Sequence, residues 1–195
     1  PKTIDNDLAS TTVTFGFHTA VQIATDAIGR LHSTAESHRR VMVVELMGRD
    51  AGWIALFAGL GATADVILIP EIPYDLDLVC QKIQARYKGD DGFAIVVTAE
   101  GAHEVGGRPV FQEEKPAEGM PRYGGLADKL AHQIAERTGR ETRALVLGHL
   151  QRGGEPVAYD KVLSLRFGAA AVKLAAEGKF GCMVSLDPPQ VKAVP

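Results

Sequence analysis

The chain has 195 residues, of which 46% are hydrophobic and 23% are charged, and its formal net charge is −3 at pH 7. This balance is typical of a soluble globular protein and excludes the basic footprint of a nucleic-acid-binding protein. No apolar run approaches the length of a membrane span, and the two cysteines, Cys80 and Cys182, lack the spacing of a metal site. We therefore expect a cytoplasmic protein with reduced thiols and neither a nucleic-acid nor a membrane partner.

Helical periodicity and β-branched runs alternate along the chain. Ser10, Thr11 and Thr12 are predicted to cap a first helix that runs to about Leu31. Further helices are predicted over residues 52–60, 76–87, 126–138 and 159–177, and strands over residues 41–46, 65–70, 93–98 and 142–147. Nearly continuous apolar strands between helices indicate a mostly parallel sheet with both faces covered. The predicted fold is a Rossmann-like, three-layer α/β/α protein.

One long segment has no periodicity. Residues 101–122 are rich in Gly, Pro and Glu, with Glu113, Glu114 and Lys115 at their centre. Long loops without secondary structure usually lie on the surface. We predict a mobile surface excursion here.

The densest polar cluster opens the chain, in the segment Pro1-Lys2-Thr3-Ile4-Asp5-Asn6-Asp7. One residue separates the two carboxylates, which suits a turn that aims several oxygens at one small site. Two interpretations are open on these residues alone. The turn either caps a following helix, which local turn preferences favour, or supplies the proton acceptor and neighbouring oxygens of a phosphoryl-transfer site.

A polar motif follows each of the four predicted strands. Ligands of open α/β sheets bind outside the carboxyl ends of the strands, so we expect these motifs to share one edge. Each motif alone is most simply a solvated loop, whereas four at one edge indicate a site. The motifs are Met47-Gly48-Arg49-Asp50-Ala51-Gly52, Pro70-Glu71, Ala99-Glu100-Gly101 and Gly148-His149-Leu150-Gln151-Arg152-Gly153-Gly154.

Cationic side chains adjoin the first and fourth strands, at Arg40, Arg143, His149 and Arg152. The planar fork of arginine matches phosphate oxygens, and glycines let backbone N–H groups approach an anion closely. The sequence therefore predicts a phosphorylated small molecule as ligand. Glu71 is the acceptor that we expect for a sugar hydroxyl of that molecule.

Several of these segments resemble the signature motifs of the 6-phosphofructokinases, in the family's order and at similar spacing. The resemblance covers nearly the whole chain and rests on residues 1–7, Met47-Gly48-Arg49, Pro70-Glu71 and residues 148–154. It implies phosphoryl transfer from ATP or pyrophosphate to the 1-hydroxyl of fructose 6-phosphate, which gives fructose 1,6-bisphosphate in glycolysis. It also implies Mg²⁺ as cofactor, allosteric control and a homodimer or homotetramer.

The same resemblance implies a role for individual residues. Asp5 corresponds to the catalytic base, Thr3 lies near the transferred phosphoryl group, and Arg49 stabilises the charge on that group. Asp7 lies near the sugar or metal site. The other implied substrate contacts are Met47 and Gly48 in the sugar pocket, Glu71 at the sugar hydroxyls, His149 and Arg152 at the 6-phosphate, and Arg40 and Arg143 at the 6-phosphate of a neighbouring subunit.

The resemblance also implies how the chain is divided. Residues 18–151 correspond to the smaller sugar-phosphate domain, and residues 1–17 and 152–195 to an incomplete larger donor domain. The family's Gly-rich phosphate loop and its Gly-Gly-Asp motif for Mg²⁺ do not occur in this sequence. We therefore expect a fragment without the nucleotide-binding part, without a confidently assigned metal ligand, and inactive alone.

The phosphoryl donor and two other functions stay open. Lys2 stands at a position that helps select the donor: pyrophosphate enzymes of the family carry lysine there, and so does a subgroup of ATP enzymes. These features together slightly favour ATP as the phosphoryl donor. The alternatives are a non-catalytic regulatory relative that binds a sugar phosphate, and an unrelated α/β domain that binds another anion.

Overall fold

The computed structural model describes residues 1–113 and 122–195. The helices are α1 (Phe17–Ser37), α2 (Trp53–Gly61), α3 (Leu76–Arg86), α4 (Leu126–Thr138) and α5 (Ala158–Ala176), with a 3₁₀ turn over Gly148–Arg152. The strands are β1 (Lys2–Thr3), β2 (Phe15–Gly16), β3 (Val41–Leu46), β4 (Val66–Leu68), β5 (Ala94–Ala99), β6 (Phe111–Glu113), β7 (Arg122–Tyr123), β8 (Thr142–Val146), β9 (Met183–Asp187) and β10 (Gln190–Val194). Within these described ranges, no helix is both long and apolar enough to cross a membrane.

The central sheet has four parallel strands in the order β4-β5-β3-β8. Val41 at the start of β3 is level with Ala94 of β5 and Thr142 of β8. The carboxyl ends of these three strands therefore meet at one edge, with β3 between the other two. β4 lies one strand farther out, at the side of the sheet.

The two faces of the sheet are covered by different helices. Side chains alternate along β3, so Val41 and Val43 pack with α3 and α4, whereas Val44 and Leu46 pack with α1 and α2. All four are fully or almost fully buried. Helices lie on both faces of a mostly parallel sheet, and the three-layer α/β/α prediction is confirmed.

The first helix begins later than the sequence pattern suggested. Its N-cap is Gly16 rather than Ser10, Thr11 or Thr12, and no side chain next to it in sequence caps it. A distant carboxylate does so instead: Oδ2 of Asp160 accepts hydrogen bonds from the backbone N–H and the hydroxyl of Thr19. The hydroxyl oxygen of Thr11 accepts a hydrogen bond from the backbone N–H of Leu186 in β9. This predicted cap residue therefore makes a tertiary contact and does not cap α1.

The opening segment is not a helix cap either. β1 pairs in parallel with β2, and the turn after β1 is held by tertiary contacts. Oδ1 of Asn6 accepts the backbone N–H of Thr14 at 2.8 Å, and the Thr14 hydroxyl donates to the Thr3 carbonyl. The side chain of Asn6, which suggested a helix cap, therefore fixes the turn to the segment that leads into β2. Asp5 and Asp7 do not cap a helix and lie at the edge of the sheet.

Part of the segment predicted as a mobile loop is ordered into a hairpin. β6 and β7 pair antiparallel, with Phe111 level with Tyr123. Residues 114–121, which include Glu114 and Lys115, lie outside the described residues. Beyond α5, β9 and β10 pair antiparallel, and Leu186 belongs to the same buried core cluster as Leu163 and Phe167 of α5 and the buried residues of α1.

Candidate active site

A cavity of about 710 Å³ lies at the carboxyl edge of the central sheet. Carboxylates and cations line it together. Its acidic residues are Asp5, Asp7, Glu45, Asp50 and Glu100, and its basic residues are Arg49, His149 and Arg152. The turn after β1, the turns after β3 and β5, and the 3₁₀ turn after β8 supply most of them. This is the shared edge that the sequence predicted.

Asp5 sits among these charges with a perturbed carboxyl group. Its Oδ2 accepts a hydrogen bond from the Thr3 hydroxyl at 3.4 Å, and its backbone N–H donates to the hydroxyl oxygen of Thr3 at 3.1 Å. Burial, and then the neighbouring carboxylate of Asp7, raise the pKa of Asp5, while Arg152, the Thr3 hydroxyl and Arg49 act in the opposite direction. A raised pKa makes an ionised carboxylate a better proton acceptor, as a general base requires.

The turns after β3 and β5 lie directly against each other. The backbone N–H of Glu100 donates to the carbonyl of Leu46, and the backbone N–H of Gly101 donates to the carbonyl of Gly48 at 3.1 Å. A Cβ at position 101 would lie only 1.8 Å from the Arg49 carbonyl oxygen. Glycine at 101 is therefore what lets the backbone that carries Arg49 lie this close to the end of β5.

Arg49 lines the cavity with a partly exposed side chain. Its Nε donates to Oδ2 of Asp50 at 2.8 Å, and this hydrogen bond is the main reason that the pKa of Arg49 is raised. The side chain of Arg49 is 40% exposed, so a ligand in the cavity can reach it. The guanidinium therefore stays charged at the place where the resemblance implies phosphoryl transfer.

Of the two glutamates that follow β4 and β5, Glu100 is the one that lines this cavity. Burial raises the pKa of Glu100, with smaller contributions from Glu45 and Asp5, while the Gly48 N–H and Arg152 lower it. Glu71 does not line the cavity; its Oε1 accepts the N–H of Gly52 at 2.9 Å, where α2 begins. The reason is strand order, because Glu71 follows the outer strand β4 and Glu100 follows β5, which is next to β3.

Glu45 is a site residue that the sequence reasoning missed. It is 2% exposed within β3, and its carboxylate accepts the N–H groups of Gly125 at 3.3 Å and Ala127 at 2.8 Å. The N-terminus of a helix stabilises negative charge, which accounts for a carboxylate within an apolar strand. A single acidic residue inside a buried β-branched run is the signal that could have identified it.

His149 and Arg152 reach the cavity from the 3₁₀ turn after β8. Gly148 opens this turn with a φ of 49°, in the left-handed region that glycine adopts at little cost. The positive charge of Arg152 acts on the pKa of both Asp5 and Glu100, so the cation stands close to both carboxylates. Met47, directly after β3, also lines the cavity, whereas Gly48 is not among its lining residues.

Arg40 and Arg143 lie at the opposite, amino-terminal edge of the sheet. Both pair with Glu141, at 2.9 Å and 2.6 Å. They therefore do not reach the cavity of their own chain, and their expected contact with a neighbouring subunit stays a prediction. Lys2 is exposed on β1 and Thr3 touches Asp5, but neither is among the residues that line the cavity.

Comparison with known proteins gives this arrangement a family. The sequence profile of the family described as Phosphofructokinase matches residues 1–175. The chain belongs to the phosphofructokinase family. The resemblance found in the sequence motifs is thereby confirmed.

The relatives of this phosphofructokinase-family chain include enzymes named for two different phosphoryl donors. An ATP-dependent 6-phosphofructokinase of Chloroflexus aurantiacus is 55% identical over 195 residues, which are 100% of this chain and 53% of the relative. A pyrophosphate–fructose 6-phosphate 1-phosphotransferase of Amycolatopsis methanolica is 57% identical over 188 residues, which are 95% of this chain and 54% of the relative. The chain thus spans about half the length of the curated relatives that it matches.

Solved phosphofructokinase structures have the same fold. The structure from Saccharomyces cerevisiae matches 100% of this chain and 24% of its own, with a TM-score of 0.82 and 32% identity. A pyrophosphate-dependent phosphofructokinase from Marinobacter aquaeolei matches 100% of this chain and 48% of its own, with a TM-score of 0.78 and 30% identity. The fold of the chain is therefore that of the solved phosphofructokinases.

Proposed function

We propose that the protein containing this chain transfers a phosphoryl group to the 1-hydroxyl of fructose 6-phosphate, giving fructose 1,6-bisphosphate. One observation carries the proposal: a single cavity combines Asp5, whose pKa is raised, with Arg49 and with the cationic pair His149 and Arg152. Phosphoryl transfer to a sugar phosphate needs these groups in one place, namely a base for the alcohol and cations for the existing phosphate and for the phosphoryl group being transferred.

The proposed mechanism assigns a step to each group. The Asp5 carboxylate accepts the proton of the 1-hydroxyl as the new O–P bond forms, and the donor leaves with the electrons of the broken P–O bond. Arg49 stabilises the negative charge that spreads over the transferred phosphoryl group, and Thr3 holds the Asp5 carboxylate. Asp7 adds to the charge that keeps the pKa of Asp5 high.

The other residues bind and orient the sugar phosphate. His149 and Arg152 bind the 6-phosphate, because a guanidinium fork and an imidazole donor suit its oxygens. We assign the sugar hydroxyls to Glu100 in place of Glu71, since Glu100 lines the cavity together with Met47. Arg40 and Arg143, at the opposite edge, serve the site of a neighbouring subunit in a homodimer or homotetramer.

We propose ATP as the phosphoryl donor, supported by the ATP-dependent relatives that match the whole chain in Chloroflexus aurantiacus and Synechocystis. Pyrophosphate is the second candidate. Lys2 favours it, because a compact cation next to the turn can pair with a small donor, and so does the identity with the Amycolatopsis methanolica enzyme. Comparing the initial rates with ATP and with pyrophosphate in the protein that contains this chain decides between them.

The remaining features of the family are proposed for the whole protein: a Mg²⁺ cofactor, allosteric control, action in glycolysis in the cytoplasm, and the domain boundaries at residues 17 and 151. Within residues 1–113 and 122–195, no group of three or more His, Cys, Asp or Glu side chains is arranged to hold a metal ion. No step is assigned to the metal.

Binding of fructose 6-phosphate to the chain, measured by titration calorimetry, tests the proposal. Arg152→Ala removes a charged hydrogen-bond donor to phosphate, so we expect the Kd to rise about tenfold to a hundredfold. Arg30→Ala is the matched control, since Arg30 is exposed on α1 and does not line the cavity. Equal affinity of Arg152→Ala and the unaltered chain would contradict the proposed site.

Replacing the base separates catalysis from regulation. In the protein that contains this chain, Asp5→Asn should lower kcat by about 10²- to 10⁴-fold, while the affinity for fructose 6-phosphate changes little. A regulatory, non-catalytic relative would have no such rate to lose. If the Asp5→Asn rate stayed close to that of the unaltered protein, Asp5 would not be the base.

A further inference from the structure

Gln151 is a polar side chain that the mechanism above does not use. It lies in the 3₁₀ turn between His149 and Arg152, and it is 1% exposed. It does not line the cavity. A buried amide has to form hydrogen bonds, and the partners of this one belong to the site.

The amide of Gln151 joins two segments that carry different ends of the site. Its Oε1 accepts the backbone N–H of Met47 at 3.3 Å, and its Nε2 donates to the carbonyl of Gly148 at 3.1 Å. Met47 opens the turn that carries Arg49. Gly148 opens the turn that carries His149 and Arg152. One buried side chain thus connects the proposed phosphoryl-transfer end with the proposed 6-phosphate end.

The backbone ladder between β3 and β8 stops just before these turns. Its pairs run from Val41 with Thr142 to Glu45 with Val146, and the N–H of Leu147 then donates to the Glu45 carbonyl at 3.0 Å. The hydrogen bond from the Met47 N–H to the amide oxygen of Gln151 adds one further link between the two segments, beyond the last backbone pair.

We propose that Gln151 is a positioning residue, which sets the separation between Arg49 and the pair His149 and Arg152 so that one sugar phosphate can engage both ends. The inference rests on the proposed function. A misplacement of about 1 Å in a site of this kind can cost about a hundredfold in rate. Two hydrogen bonds of one rigid, buried amide are suited to prevent such a shift.

The test removes the bridge and keeps the volume. Gln151→Met has a side chain of similar length that makes neither hydrogen bond. In the protein that contains this chain, we expect its Kd and KM for fructose 6-phosphate to rise about tenfold or more, with a lower kcat and an unchanged KM for the phosphoryl donor. Inorganic phosphate, which binds at the 6-phosphate end and does not need Arg49, should bind with nearly unchanged affinity.

Two further variants separate positioning from stability. Ile83→Val truncates a fully buried side chain of α3, away from the cavity, and should lower the thermal midpoint without changing the affinity for either ligand. Gln151→Leu also removes both hydrogen bonds and places no charge in the interior. It should show the same selective loss of fructose 6-phosphate affinity, so the inference remains testable if Gln151→Met does not fold.

Three outcomes would overturn the inference. The first is a folded Gln151 variant with unaltered kinetics, and the second is an equal loss of affinity for inorganic phosphate and fructose 6-phosphate. Both leave the proposed function standing. The third is the absence of fructose 6-phosphate binding to the unaltered chain, which would refute the proposed function and the inference together.

Discussion

Gly101 offers a direct test of how closely the turns after β3 and β5 approach. A Cβ at this position would lie 1.8 Å from the carbonyl oxygen of Arg49, 2.8 Å from its carbonyl carbon and 3.2 Å from its Cα. All three are backbone atoms, so no rotation of a side chain can relieve the contact. In Gly101→Ala the backbone of Arg49 must therefore retreat by about 1 Å to reach the 3.0 Å that real Cβ contacts respect.

The magnitude of the effect follows from this displacement. Overpacking a well-packed interior costs about 1–3 kcal/mol, and a contact with backbone belongs at the upper end, so we expect the free energy of unfolding to fall by about 3 kcal/mol. If Arg49 has the proposed role, a shift of about 1 Å should lower kcat/KM about a hundredfold, which equals about 2.7 kcal/mol of transition-state stabilisation. Urea unfolding and steady-state kinetics with fructose 6-phosphate measure the two effects.

Gly29→Ala is the matched control for this substitution. Gly29 lies inside α1, and a Cβ there would meet no atom within 4 Å. Alanine in an open helix interior should raise stability by about 0.5–1 kcal/mol and leave the kinetics unchanged. If Gly101→Ala behaved like Gly29→Ala, the close approach of the two turns and the argument built on it would be refuted.

Three other predictions concern the acidic residues of the site. Because the pKa of Asp5 is raised in the folded state, the charge of Asp5 destabilises the fold at neutral pH. Asp5→Asn should therefore be more stable than the unaltered chain at neutral pH, as measured by urea unfolding. The difference should shrink as the pH falls through the raised pKa toward the ordinary carboxyl value. Glu100→Ala should weaken fructose 6-phosphate binding in calorimetry about tenfold, whereas Glu71→Ala should leave it unchanged; the opposite ranking would restore Glu71 as the sugar ligand. Glu45→Met takes a charged acceptor from the N–H groups of Gly125 and Ala127 and should lower the free energy of unfolding by about 3 kcal/mol, and an unchanged unfolding midpoint would refute this role.

The sequence alone determined the layers of the fold and the family. Apolar runs at 41–46 and 93–98 are buried strands because hydrophobic period is a local property, and they alternate with helices as predicted. The motifs at Met47 and Gly148 identified the family for a similar reason, since a short turn carries its own glycines and charges. These features depend on neighbours in sequence, which a single chain displays.

Only the tertiary structure decided which of these residues meet. The order β4-β5-β3-β8 brings Glu100 into the cavity and leaves Glu71 at the start of α2, although both follow a strand. The same order gives Glu45 its partners at α4, and Asp160 caps α1 from 141 residues away. Strand order and long-range hydrogen bonds depend on pairings between distant segments. A local sequence pattern does not contain information about these pairings.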